Sequence, residues 1–250
     1  MPTYSIGLVI ADFKCSSTLL TSQYSQNNLN ISVCARENAM SKIKVMEKCT
    51  LNSLDHFERQ FETKFPLTKL DHISVPDFDF GAMENWGVVV YREDLIFFDD
   101  KTTEETHRQM VARVVHHEIS HMWFGNLVTP KWWSDLWLNE GFARFFDYTM
   151  TDHLYPEWQL NDDFEVYLMQ IINFDSDNML QPVSFPIESP NQINRIINPY
   201  TTYGKGSGLV RMLNYILGKK NLTRGLTKYF NKFQYKSVEQ KDLWNILQVK

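Results

Sequence analysis

Apolar residues recur along the chain in two periods, one near two and one near 3.6, and the switch between them outlines a short strand-containing front and a helical remainder. Residues 3–13 (Thr-Tyr-Ser-Ile-Gly-Leu-Val-Ile-Ala-Asp-Phe) alternate and read as a strand, with a second strand over 30–35. Between 41 and 61, Ile43, Val45, Met46, Leu51, Leu54, Phe57 and Phe61 fall closer to helical spacing, which predicts one amphipathic helix or two. Residues 70–75 and 86–91 read as short strands separated by a turn-prone stretch over 76–84.

A long helix is expected next. Thr102 with Glu105 three residues later makes a capping box, and Glu104 and Glu105 suit the positive end of the helix dipole. Met110, Val111, Val114, Val115, Ile119 and Met122 supply its apolar content, and Gly125 is its expected stop. Further helices are expected over 134–150, 157–172, Gly206–Leu217 and 241–247, with an irregular, proline-containing stretch over 181–199. The fold class is α+β, helix-rich, with a few strands at the N-terminal side.

Composition narrows the class further. The 250 residues contain 43% hydrophobic, 14% aromatic and 22% charged side chains, which is ample for an ordered core. A net charge of −5 argues against nucleic acid as a partner, because such binders carry a basic face. Three cysteines, Cys15, Cys34 and Cys49, are too few for a disulfide-dense scaffold and lack zinc-knuckle spacing, and their pairing is left open. No apolar run approaches the roughly 20 residues that span a bilayer, and the first residues lack the basic start and long apolar run of a signal peptide. The segment itself is expected to be soluble.

The chemistry concentrates in His117-Glu118-Ile119-Ser120-His121, inside the long predicted helix. Residues four apart share a helical face, so both imidazoles can converge on one ion, and the intervening Glu serves as a base and not as a ligand. Catalytic zinc takes three protein ligands and leaves a fourth position open. Glu140, after 18 intervening residues and on the next predicted helix, is the candidate third ligand. Asp147, seven residues beyond Glu140, shares its face; it could orient a ligating imidazole, and an ordinary solvated acid fits the spacing equally well.

Around these residues the chain resembles the M1 (gluzincin) family of zinc aminopeptidases. Gly81-Ala-Met-Glu-Asn85 precedes the histidines, Trp123-Phe-Gly-Asn-Leu-Val-Thr129 and Trp137-Leu-Asn-Glu-Gly-Phe-Ala143 follow, and Tyr203-Gly-Lys-Gly206 resembles the family's tyrosine segment. His116, Ser120 and Met122 depart from the Ala, Ala and Gln common in the family, all at non-ligand positions. The resemblance implies a thermolysin-like catalytic domain over 15–250, preceded over 1–14 by the end of an incomplete N-terminal β domain, with the last catalytic helices lying beyond the chain. It also implies one zinc ion held by His117, His121 and Glu140.

That zinc would lower the pKa of its water towards ~7 and polarise the scissile carbonyl. Glu118 would then move a proton from the water to the leaving amine. By resemblance, the Tyr203 hydroxyl supports the oxyanion, Glu84 pairs with the substrate's α-ammonium, and Gly81, Ala82, Met83 and Asn85 line the bound peptide beside it. The expected activity is N-terminal hydrolysis of peptides with a free N-terminus. The alternative is a truncated, inactive module of the same family that binds peptide or partner. A homodimer is admissible. The sequons at Asn30 and Asn221 occur about as often as chance allows. The local motifs lean towards a membrane-anchored ectoenzyme at the extracellular face of the plasma membrane, with any anchor outside this segment.

Overall fold

Strand formation begins after the N-terminal alternation and not within it. In the computed structural model, which describes residues 2–177 and 179–248, Thr3–Ser5 is a single 3-10 turn and residues 6–13 belong to no strand. The expected strand over 3–13 is therefore corrected. Ile6, Leu8 and Ile10 stay 63%, 85% and 90% exposed, because alternation becomes a strand only where another backbone supplies ladder partners. Lys14–Thr21 (β1) has that partner: it pairs antiparallel with Asn28–Ala35 (β2), from Lys14 opposite Ala35 to Thr21 opposite Asn28. Met1, Asn178, Val249 and Lys250 lie outside the described residues, and with them the outer ends of the expected segments 1–14 and 15–250.

The hairpin register sets Cys15 opposite Cys34, and a disulfide joins them, while Cys49 is a buried thiol outside that bond. Closing a loop with a sequence separation of 19 contributes on the order of 3 kcal/mol in the chain-entropy account.

The chain divides into two compact units, residues 1–122 and 123–250. In the first, β3 (Lys69–Val75), β4 (Ala82–Met83) and β5 (Val88–Arg92) join the hairpin in a mixed sheet of order β1-β2-β3-β5-β4. The β2–β3 and β3–β5 pairs are parallel, and β4 runs antiparallel to β5. The stretch 76–84 is thus not a plain turn: it closes in a two-residue edge strand. Helix α1 (Lys44–Phe61) buries Met46, Cys49, Leu54, Phe57 and Phe61, a single helical stripe.

After the short α2 (Glu93–Ile96), helix α3 (Glu105–Ser120) starts two residues later than a Thr102 cap requires, with Glu104 at the cap position and no side-chain cap. The capping box does not form because Thr102 and Thr103 are engaged in a turn at Asp99, whose carbonyl accepts both amides while Thr103 Oγ1 accepts from the Asp99 amide. Helix α3 also ends at Ser120 and not at Gly125, which sits in the following loop at φ +124°.

A buried polar chain crosses this first unit. Thr50 Oγ1 donates to the Met46 carbonyl at 3.0 Å and lies 3.3 Å from His72 Nε2, while His72 Nδ1 lies 3.0 Å from the Tyr91 hydroxyl. The Thr50 proton is already used, so His72 Nε2 must donate to it and His72 Nδ1 accepts from Tyr91. Burial pushes the His72 imidazole down to about 3, against a small upward pull from Asp71.

An unfolded imidazole protonates near 6.5, so between those values protons bind the unfolded chain preferentially and stability falls as pH falls. Taking the chain from pH 7 to pH 5 is expected to cost about 2 kcal/mol through His72 alone. Urea unfolding of wild-type and His72→Gln chains at both pH values checks this. An equal pH slope in the two would show that His72 is not the source.

The second unit is built on α4 (Trp137–Leu154), which is buried nearly all round, as a central helix must be. Phe124 stacks there on Phe142 and Phe146, with centroids 4.5 and 5.5 Å apart, and meets Phe230 edge to face at 4.9 Å. Helices α5 (Leu160–Ser176), α6 (Ile193–Ile196) and α7 (Gly206–Leu217) follow. Helix α8 (Lys219–Phe233) is absent from the sequence-based expectation, although Leu222, Leu226, Tyr229 and Phe230 carry a helical stripe. Its Gly225 admits the Leu247 side chain of α9 (Gln240–Leu247), whose Cδ2 occupies the space a Cβ would need. Two short strands, β6 (Val128–Pro130) and β7 (Lys236–Val238), pair in parallel. The helix-rich α+β class expected from the sequence is the one the chain adopts.

Candidate active site

The candidate residues divide between the two units. In the first, His117 and Glu118 lie in the last turn of α3, and His121 follows as its cap with helical backbone (φ −60°, ψ −22°). The His121 amide still donates to the His117 carbonyl at 3.3 Å, so the two imidazoles keep one face, with ring centroids 4.7 Å apart. Both are buried. Ser120, one of the departures, turns its hydroxyl back onto the His117 carbonyl at 2.8 Å and leaves the histidine face untouched. His116 is fully buried off that face.

Glu84 follows edge strand β4, and its Oε1 lies 4.0 Å from His121 Nδ1. Oxygens of Glu84 and Glu118 and a nitrogen of His121 all fall within 4.8 Å of one another, and all three residues are buried. Two carboxylates and an imidazole gathered out of water make a strongly cation-seeking spot. Behind them, Tyr91 is held well above its ordinary pKa, first by burial and then by Glu118 and Cys49. Its proton therefore stays on the phenol, directed at His72.

Of the other residues near Glu84, Gly81 accepts from the Arg92 amide, and Ala82 and Met83 form β4 with one strand edge unpaired in the sheet. Asn85 differs: its Nδ2 donates to the Tyr4 carbonyl at 2.7 Å and ties residues near the N-terminus to this loop.

In the second unit, Glu140 and Asp147 lie two turns apart on one face of α4, both buried. Asp147 is thus no solvated acid; it is 1% exposed, and its Oδ2 accepts from Arg144 Nη1 at 3.0 Å. Tyr203 sits in a π-helical turn, Pro199–Lys205, that leads directly into α7. Such widened turns are uncommon and concentrate at functional positions. Asn198 starts it: its side chain accepts from the Tyr200 and Thr201 amides at 2.9 and 3.0 Å.

Two glycines bring α4 and α7 together. A Cβ on Gly141 would stand 2.7 Å from the Gly206 carbonyl carbon, and one on Gly206 would stand 3.0 Å from the Gly141 Cα. The residue after Glu140 and the residue three after Tyr203 are therefore packed backbone to backbone, which fixes both segments on one frame. Sequence reasoning missed Arg144, whose (i, i+3) spacing to Asp147 was the available signal, and it missed the buried Tyr91–His72 pair behind Glu118.

The motifs now have relatives. The profile of the Peptidase family M1 domain matches residues 46–250. Endoplasmic reticulum aminopeptidase 2 of Homo sapiens is 37% identical over 247 residues, covering 99% of this chain and 25% of its own length. Aminopeptidase N of Mus musculus is 36% identical, over 99% of this chain and 26% of its own length. Endoplasmic reticulum aminopeptidase 1 of Mus musculus is 35% identical, over 98% and 26%. The chain thus spans about a quarter of the length of the curated relatives it matches. The family profile covers most of the chain, with the His117–His121 motif inside the match, and the chain belongs to peptidase family M1.

Proposed function

We propose that this chain is a zinc-dependent aminopeptidase, hydrolysing the N-terminal peptide bond of peptides. The observation that carries the reading is the last turn of α3, where two buried imidazoles share a face with Glu118 between them, in a chain of family M1. The donor set fits a borderline-soft ion: two imidazoles with Glu140 as the third ligand. When bound, zinc supplies Lewis-acid polarisation of the scissile carbonyl and acidifies the attacking water.

The chain's own residues do the rest. Glu118 takes the proton from the attacking water and delivers it to the leaving amine. The Tyr203 hydroxyl donates to the carbonyl oxygen as negative charge builds on it. Asp147 orients a ligating imidazole. Glu84 pairs with the substrate's α-ammonium, whose charge is costly to bury alone. The free edge of β4 offers the Gly81–Met83 backbone to an extended peptide, and Asn85 holds the loop that presents Glu84.

We read residues 1–14 as the end of a β domain and 15–250 as the catalytic domain. The Cys15–Cys34 bond supports an oxidising compartment, in line with an extracellular-facing enzyme. Among the described residues no helix is long and apolar enough to cross a membrane.

The test is one peptide offered to the zinc-loaded chain in two forms, N-terminus free and N-acetylated. Cleavage of the free form alone is expected. Cleavage of both would remove Glu84 from its role and indicate an endopeptidase. Cleavage of neither, with about one zinc bound per chain, would leave a peptide- or partner-binding module of the family.

A further inference from the structure

Arg144 has an unusual setting that the proposed chemistry does not use. It lies on α4 between Glu140 and Asp147, and its side chain is only 27% exposed. One edge of the guanidinium is committed to Asp147, while its buried Nε has no hydrogen-bond partner among the described residues. The guanidinium carbon lies over two tyrosine rings, 5.6 Å from the Tyr203 centroid and 5.9 Å from that of Tyr167. Both distances fall within the range of a cation–π contact. Burial works against the charge, yet Asp147 and the neighbouring Tyr167, Tyr148 and Tyr203 more than offset it, so the guanidinium stays cationic.

The same group of side chains fixes the turn that carries Tyr203. The Tyr167 hydroxyl donates to the Pro199 carbonyl at 3.1 Å, at the start of the π-helical turn. Ile171 and Tyr167 press on Gly204, where a Cβ would stand 2.6 Å from Ile171 Cδ1 and 3.2 Å from the Tyr167 hydroxyl. Tyr148 stacks on Tyr167 at 6.0 Å and on Phe164 at 4.6 Å, backing the cluster from α4. The backbone of the Tyr203 segment is thus held from α5, and Arg144 reaches the phenol ring itself.

We propose that Arg144 is a positioning residue for Tyr203, fixing the phenol through a cation–π contact while the same guanidinium anchors Asp147. This rests on the reading of Tyr203 as the oxyanion donor. A planar guanidinium suits both partners, since it bonds a carboxylate along its edge and presents its face to a ring at the same time. A lysine could serve one of these partners but not both with the same geometry. One side chain thereby couples the placement of the oxyanion donor to that of the acid proposed to orient an imidazole.

The test uses the whole zinc-loaded chain and the variants Arg144→Met, Arg144→Lys, Tyr203→Phe and the Met/Phe double. Arg144→Met is expected to lower kcat about 10–30-fold, the scale of a desolvated cation–π contact, with KM changed less than about 2-fold. Arg144→Lys should recover part of the loss. In the Tyr203→Phe background Arg144→Met should cost clearly less, since the part of its effect that passes through the hydroxyl is gone and only the part through Asp147 remains.

With ring-labelled 13C-tyrosine, the resonance assigned through Tyr203→Phe should move in Arg144→Met without any substrate present. An unmoved Tyr203 resonance overturns the proposal whether or not the chain turns over peptide. So does an equal loss of kcat from Arg144→Met in both backgrounds. A wild-type kcat in Tyr203→Phe sinks the role of Tyr203 instead, and the resonance still decides whether Arg144 holds the ring.

Discussion

Replacing Glu118 by Gln is expected to lower turnover by about 10²–10⁴-fold, the usual worth of a positioned general base. Zinc should remain bound, because Glu118 lies between the proposed ligands His117 and His121 without being one of them. The substitution keeps shape and hydrogen-bonding capacity at a buried position beside Tyr91, so folding should be preserved. The effect should appear in kcat more than in KM, since a proton is moved only on the way to the transition state. Metal analysis together with steady-state kinetics decides it. A Glu118→Gln chain that lost its zinc, or that kept full activity, would show that the residue has another role.

Tyr203→Phe has the next largest expected effect, about 10²–10³-fold in kcat, comparable to removal of one oxyanion donor. Only the hydroxyl is deleted, so the ring contact with Arg144 and the π-helical turn should survive. A transition-state-like phosphinic peptide should bind this variant correspondingly more weakly, while a simple product should bind it as it binds wild type. Equal weakening of both ligands would point to a disturbed cleft and away from a donor that acts on the oxyanion.

How much of this could be read from the chain itself varies with how local each cause is. The α3 motif was legible because a spacing of four on a helix fixes a shared face regardless of what surrounds it. Glu140 was a candidate ligand from its place on the next predicted helix, whereas Glu84 and Tyr203 could be named only as members of recognised motifs; nothing in their local spacing ties them to residues far along the chain. The N-terminal alternation misled because period two is necessary for a strand but not sufficient. Ile6, Leu8 and Ile10 have the pattern, yet Lys14–Thr21 has the hairpin partner. The Thr102 capping box failed for a related reason: Asp99 offers a nearer turn to the same threonines.

The sequence by itself therefore determined the helix-rich α+β class, the histidine–glutamate–histidine face and the family. The first two rest on periodicity and short-range spacing and the family on its resembling motifs, all of which a chain carries before it folds. Tertiary structure decided the Cys15–Cys34 pairing, through hairpin register, and the burial of His72 beneath Tyr91. It also decided the glycine contact that seats Glu140 and Tyr203 on one frame, and the placement of Arg144 between Asp147 and two tyrosine rings. Each of these joins residues whose separation in sequence says nothing about their separation in space, and only the packed chain brings them within reach of one another.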